Sequence, residues 1–208
     1  MSQIYNKEYY KEHYTGDFGI DGDTYRNQMI AKALLFKKAF NPRSSLELGC
    51  ANGIAVEALR NLGVEAYGID LAKDILPDKP YYFAGNVANI EWPITELVHS
   101  SDILEHLTDK EIDIVLDKCS VTQNMFHSIS TSFDEYGDIT WLKDMDKGHI
   151  AMHSPSWWLK KFNDKFVERY FITTMSRTDF VSAEYQKYKF SNTVFMLTKE
   201  SMSMLAHL

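Results

Sequence analysis

The sequence predicts an α/β fold, a doubly wound and mostly parallel sheet of seven strands with an antiparallel strand at its edge. Two observations carry that expectation. Apolar runs of strand length alternate with stretches of helical period from Ser44 onward, and the first run enters its helix through the turn Gly49-Cys50-Ala51-Asn52-Gly53. The 208 residues suit a single domain, 1–208, and 45% hydrophobic with 25% charged residues is ordinary globular usage that argues against extended disorder.

Residues 1–23 read as an aromatic arm (Tyr5, Tyr9, Tyr10, Tyr14) closed by a turn-rich stretch from Asp17 to Asp23. From Thr24 to Phe40, the residues Met29, Ile30, Ala33, Leu34 and Phe40 recur at helical spacing, and Asn41-Pro42 stops the helix. Ser44 to Leu48 is a short strand, Ile54 to Leu62 a helix capped by Gly63, and Val64 to Ile69 a second strand ending on Asp70. Further strands are expected over Tyr81–Ala84, Ile94–Ser100 and Val121–Ile129, with a helix over 109–118. Pro155 to Phe162 is a helix with Ser154 as cap and proline in its first position. Val167–Thr173 and Tyr188–Thr198 are β-rich and form an antiparallel edge pair. The stretch 131–153 has no clear period and reads as a long loop.

In a doubly wound sheet, ligands sit beyond the carboxyl ends of the strands. Gly49 and Gly53 let a ligand approach the backbone there, and Asp70, 21 residues beyond Gly49, can accept hydrogen bonds from a ribose diol. Glycine turns of this kind also occur in α/β folds that hold no nucleoside. A dinucleotide fingerprint would need glycine at 49, 51 and 54, and only the first is present. An acid followed by x-G-x-G-x-G would place Glu47, Gly49, position 51 and Gly53, of which three match and Ala51 stays small.

In these residues the chain resembles the class I S-adenosylmethionine-dependent methyltransferases, which have a Rossmann-like fold. The resemblance rests on Glu47 to Gly53, Gly68-Ile69-Asp70, Gly85-Asn86-Val87 and Leu97 to Leu107, in that order. It covers about a third of the chain, residues 44–107, and implies S-adenosyl-L-methionine as cofactor and S-adenosyl-L-homocysteine as product. On that resemblance 24–130 is the cofactor-binding half and 131–208 the acceptor-binding half. Glu47 would reach the methionyl ammonium, and Gly49, Cys50, Ala51 and Gly53 would line the methionine and ribose with backbone groups. Asp70 would hold the ribose and Leu71 would pack on adenine. Asn86 and Val87 would meet the adenine edge, where the family often has Asp and this chain has Asn; Asn86 also reads as a plain turn residue. Ser101 would contact the methionine portion. Arg26 would pair with the cofactor carboxylate, or else is a solvated helix charge.

Methyl transfer to a hydroxyl needs a base, and histidine is the usual one. His106, just past the fourth strand, and His149 and His153, beside Trp141, Trp157 and Trp158, are the candidates; His127 in the fifth strand is a further one. The segment Gly148 to Trp158 is similar to a strand exit in methyltransferases of glycans, so O-methylation of a sugar or glycan hydroxyl is the expected reaction. A nitrogen or carboxylate acceptor, or a non-catalytic partner subunit, are the alternatives. No metal is expected, since no Asp-Asp pair or H-E-x-x-H accompanies His149 and His153. The arm reads as a lid over the cofactor, a docking strip or a frayed terminus.

Net charge and punctuation bound the partners and the compartment. Lys plus Arg is 22 and Asp plus Glu is 29, a net charge of −7, which argues against a phosphate-backbone binder. Ser100-Ser101-Asp102-Ile103 carries no N-P-P-Y-type segment, so DNA adenine is not expected as acceptor. Two cysteines without C-x-x-C spacing, no apolar leader and no apolar run near ~18 residues predict a reduced, cytoplasmic protein with no membrane association. The sequence does not specify an oligomeric state.

Overall fold

The structure, a computed structural model, describes residues 6–13, 16, 19–132, 148–166, 168, 170–176 and 190–199. Seven strands form one sheet: β1 (Ser44–Leu48), β2 (Glu65–Asp70), β3 (Tyr82–Ala84), β4 (Leu97–Ser101), β5 (Asn124–Ser132), β6 (Phe171–Ser176) and β7 (Phe190–Thr198), in the order β3-β2-β1-β4-β5-β7-β6. β1, β2 and β3 pair in parallel, and β7 runs antiparallel to both β5 and β6. The expected antiparallel edge pair is therefore present, with β6 outermost. The described residues up to His99 form one compact unit and those from Ser100 onward a second.

The first unit carries α1 (Lys7–His13), α2 (Asp23–Phe40) and α3 (Ile54–Asn61). In α2, Ala33 and Phe36 are buried, whereas Ile30, Leu34 and Leu35 are exposed. The helix stops where Asn41 turns left-handed (φ 40) and donates its N–H to the Lys37 carbonyl. α3 buries Ala55, Val56 and Leu59, which share one face of the helix. Lys7–His13 of the aromatic arm form α1: Asn6 Oδ1 accepts from the Tyr9 N–H at 2.9 Å, and the Lys7 N–H donates to Asp74 Oδ2 at 2.8 Å. Tyr9 is buried; Tyr5 and Tyr14 lie outside the described residues.

The second unit carries α4 (Asp109–Cys119) and α5 (Pro155–Phe166). α4 opens on a reciprocal cap, the Glu111 N–H donating to Thr108 Oγ1 while the Thr108 N–H donates to Glu111 Oε2. Ser154 caps α5 as expected, its Oγ accepting from the Trp157 N–H at 3.2 Å. Trp158, Phe162 and Phe166 recur at four-residue spacing and are buried, and the Phe162 ring lies 5.0 Å from that of Phe195 on β7. α5 runs four residues beyond the expected Phe162 because Phe166 extends the same apolar stripe. No described helix is long and apolar enough to cross a membrane.

Three strands start later than expected. Ile94 and Val121 are apolar but exposed, in irregular chain before β4 and in a turn before β5, and Val64, though buried, is left outside β2 with its N–H donated to the Leu59 carbonyl. β5 continues instead to Ser132, its polar end held by the Thr131 and Thr193 hydroxyls 2.9 Å apart. Most of the unperiodic 131–153 stretch lies outside the described residues; Gly148 to Ser154 is non-helical, as the Ser-Pro pair predicts.

The turn after β1 generates a stability prediction. Gly53 has φ 76, and a Cβ there would fall 2.2 Å from the Tyr82 hydroxyl, whereas Gly63 has φ 77 and open space around it. Gly63→Ala is expected to lose only the backbone contribution, about 1–2 kcal/mol. Gly53→Ala is expected to lose distinctly more, because Tyr82 must also move. Urea denaturation of the two variants measures the difference, and equal losses would contradict the packing described.

Candidate functional site

The turn from Gly49 to Gly53 winds through three left-handed residues, Gly49 (φ 70), Ala51 (φ 46) and Gly53 (φ 76). Ala51 holds a conformation that disfavours a Cβ, so something outside the residue must fix it. That is Asp70. Its Oδ2 accepts from the Ala51 N–H and its Oδ1 from the Ala72 N–H, both at 2.8 Å, which ties the turn to the end of β2. The Gly49 and Cys50 N–H groups add to this by donating to the Ile69 carbonyl. Burial pushes the Asp70 carboxyl above the ordinary range, and the Ala72 and Ala51 amides pull against that shift.

Glu47, two residues before the turn, is buried, and its Oε1 accepts from Lys32 Nζ of α2 at 2.6 Å. His99 Nδ1 stands 3.8 Å from the same oxygen, and the Phe36 ring lies 4.7 Å from the His99 ring. Glu47 Oε2 is also buried and has no hydrogen-bond partner. The Cys50 thiol is packed against Gly68 of β2, where burial pushes its pKa well up, so only its backbone faces other chemistry. Leu71 is half-buried and Val87 is buried. Asn86 forms a turn, its Oδ1 accepting from the Ala88 N–H at 2.8 Å. Arg26 is exposed in the first turn of α2; Lys32, further along the helix, is the cation that meets Glu47.

Asn52 and Tyr82 complete the turn's surroundings. Asn52 Nδ2 donates to the Ile20 carbonyl at 2.6 Å, fastening the segment before α2 to the turn. The Tyr82 hydroxyl lies within hydrogen-bond distance of the Gly53 carbonyl (3.1 Å) and donates to Glu57 Oε1 (2.9 Å).

In the second unit the histidines separate by environment. His127 is fully buried, its Nδ1 2.8 Å from Ser100 Oγ and its ring stacked near Phe162; burial lowers its pKa to about 3. His106 and His149 are brought together, ring centroids 4.6 Å apart. His153 stacks on Trp157 at 3.6 Å, with Nε2 2.8 Å from Asp109 Oδ1. Trp158 is a core residue, Trp157 is partly exposed, and Trp141 lies outside the described residues. Ser101 is half-buried at the end of β4. Among the described residues, no group of three or more His, Cys, Asp or Glu is placed to hold a metal ion.

Sequence reading missed Lys32, Tyr82 and Glu105. Lys32 carried a usable signal: it falls four residues before Phe36 and so shares that buried face of α2. Glu105 sits in a single 3-10 turn, Leu104–His106, and is fully buried. Its Oε1 accepts from the Ser130 N–H at 2.8 Å, while its carbonyl accepts from the Ile150 and Ala151 N–H groups.

No protein-family model matches the sequence, and no curated protein sequence matches it. Solved structures do. Magnesium protoporphyrin IX methyltransferase from Synechocystis PCC 6803 with bound S-adenosylhomocysteine is 15% identical, with 85% of this chain and 84% of that chain covered and a TM-score of 0.58. An S-adenosylmethionine-dependent methyltransferase from Archaeoglobus fulgidus is 15% identical over 84% and 94%, TM-score 0.59. Geranyl diphosphate C-methyltransferase from Streptomyces coelicolor, in complex with Mg2+, geranyl diphosphate and S-adenosyl-L-homocysteine, is 12% identical over 92% and 90%, TM-score 0.61. The fold is that of these methyltransferases. At such identities the likeness establishes architecture alone.

Glu105 makes a pH prediction. Burial, with the Asp102 carboxylate adding to it, pushes the Glu105 carboxyl from 4.5 up to about 8. The folded state thus binds the proton more tightly than the unfolded one, and stability falls as pH rises between these values. His127 works in the opposite sense between about 3 and 6.5, so the Glu105 effect is cleanest above that window. Thermal denaturation from pH 6.5 to 8.5 is expected to show falling stability in the wild type and a flatter profile in Glu105→Gln, which keeps the acceptor for Ser130. An unchanged slope would refute the assignment.

Proposed function

We propose that this chain is an S-adenosylmethionine-dependent methyltransferase, with its cofactor at the turn after β1. The carrying observation is the acidic pair around that turn: Asp70 fixed by two backbone amides, and Glu47 with a buried, unpartnered Oε2. Both fit the cofactor. Each Asp70 oxygen engaged by one amide keeps a lone pair for a ribose hydroxyl, and Glu47 Oε2 is an acceptor suited to an ammonium. The methyltransferase fold supports the reading, as do the similar proteins that hold S-adenosylhomocysteine.

When bound, S-adenosylmethionine supplies a sulfonium-activated methyl group for in-line transfer. The protein's residues bind and orient. Gly49, Cys50, Ala51 and Gly53 offer backbone groups; Leu71 and Val87 supply apolar surface for adenine, with Asn86 at its edge. Arg26, being exposed, suits the carboxylate only if the cofactor reaches the surface of α2.

The acceptor we propose is a small molecule, and in the finer reading a sugar or glycan hydroxyl. Support for a hydroxyl is His153, whose Nε2 meets Asp109 and whose ring stacks on Trp157; a carboxylate that orients an imidazole is the usual arrangement of a general base. His106 and His149 are the other candidates, sharing one ring contact. The similar proteins act on a magnesium porphyrin and on geranyl diphosphate, so the glycan reading rests on this chain's residues alone. The chain as a single domain, 1–208, acting in the cytoplasm is part of the same proposal.

Asp70→Ala is expected to weaken S-adenosylhomocysteine binding by about 1–3 kcal/mol, the range for a hydrogen bond to a charged group. Titration calorimetry measures it, and an unchanged dissociation constant removes Asp70 from the site. Mass spectrometry of products from a panel of sugars, amines and carboxylates identifies the acceptor.

A further inference from the structure

We propose that Lys32 is a positioning residue for the ligand's amino-acid end, acting through Glu47; this rests on the cofactor reading above. The structural facts are local to one unit. Lys32 Nζ grips Glu47 Oε1 at 2.6 Å with both side chains largely buried, the Lys32 side chain 13% and the Glu47 side chain 4% exposed. An ion pair serving the core alone would have its remaining lone pairs satisfied, because a buried charged oxygen without a partner is costly. Here Glu47 Oε2 is buried and accepts nothing from the protein.

The asymmetry has a physical reading. A carboxylate held at one oxygen has its rotation fixed, so the other oxygen points in one direction. Lys32 approaches from α2, and Glu47 stands on β1 two residues before Gly49. His99 and Phe36 pack beside the pair and restrict the carboxylate further. The second oxygen is thereby presented as a preset acceptor for an ammonium, and the ligand spends little of its binding energy on ordering it. Lys32 touches no ligand in this scheme.

The test compares two ligands by calorimetry on the full chain. S-adenosylhomocysteine has the adenosyl group and the amino-acid end; 5′-methylthioadenosine has the adenosyl group only. Lys32→Met is expected to weaken S-adenosylhomocysteine by about 10- to 100-fold, the range for a hydrogen bond to a charged group, and to leave 5′-methylthioadenosine within about 2-fold. Lys32→Arg, which can still hold Oε1, is expected to recover most of the loss. Equal weakening of both ligands means a merely structural lysine and overturns the proposal, as does no weakening of either. If Lys32→Met does not fold, the Lys32→Met/Glu47→Gln pair, which leaves no lone buried charge, is expected to show the same selective loss; wild-type affinity in that pair overturns the proposal too. Wild-type protein that binds neither ligand overturns the cofactor reading itself and Lys32's role with it. Wild-type protein that binds both, with no selective loss in the variants, overturns the role of Lys32 alone.

Discussion

Two hydrogen bonds accepted by one buried carboxylate organise the first unit. Asp70 accepts from Ala51 on one side and Ala72 on the other, so the turn after β1 and the exit of β2 are one rigid feature. Ala51 would otherwise leave its left-handed conformation, which for a non-glycine residue is unfavourable by about 1–2 kcal/mol. A charge-assisted hydrogen bond of the Asp70 kind is of similar size, about 1.5–3 kcal/mol, which is enough to hold it. On the proposed reading the same carboxylate, already the structural tie, also meets the ligand at that turn.

Beside Asp70, two further acidic groups, Glu47 in the first unit and Glu105 in the second, sit where burial disfavours charge, and they resolve the problem differently. Glu47 has a cation, Lys32, on one oxygen. Glu105 keeps its proton instead, with the Ser130 amide on one oxygen. An ion pair leaves a charged acceptor beside the glycine turn; a protonated carboxyl leaves a neutral latch that joins the turn after β4 to β5 and, through its backbone carbonyl, to Ile150 and Ala151. On the proposed reading the first serves binding; the second serves cohesion.

Much of this was legible in the sequence where local physics decides. The β1–α3–β2 unit follows from apolar strand runs, two glycines and an acid at the strand end, all within 27 residues of one another, and the structure has it with Leu48 opposite Ile69. Ser154 and Pro155 announced α5 through cap chemistry that acts over three residues. The signal failed where partners come from afar. Lys32 and Glu47 are 15 residues apart and meet only because α2 packs against β1, and Glu105 finds Ser130 across 25 residues. Val121 misled because an apolar residue in a turn looks like the start of a strand, and only the pairing of Asn124 with Thr198 marks where β5 begins.

The histidines illustrate how burial, rather than residue type, assigns chemistry. His127 and His153 have the same side chain, yet the first is enclosed against Phe162 and bonded to Ser100, and desolvation holds it neutral throughout the physiological range. A ring with a pKa of about 3 has too little proton affinity to serve as a general base near pH 7. His153 is partly exposed, with the Asp109 carboxylate on Nε2 and the Trp157 ring stacked on its face, so the ring is oriented by two partners rather than enclosed. His106 and His149 pack on each other instead, their ring centroids 4.6 Å apart.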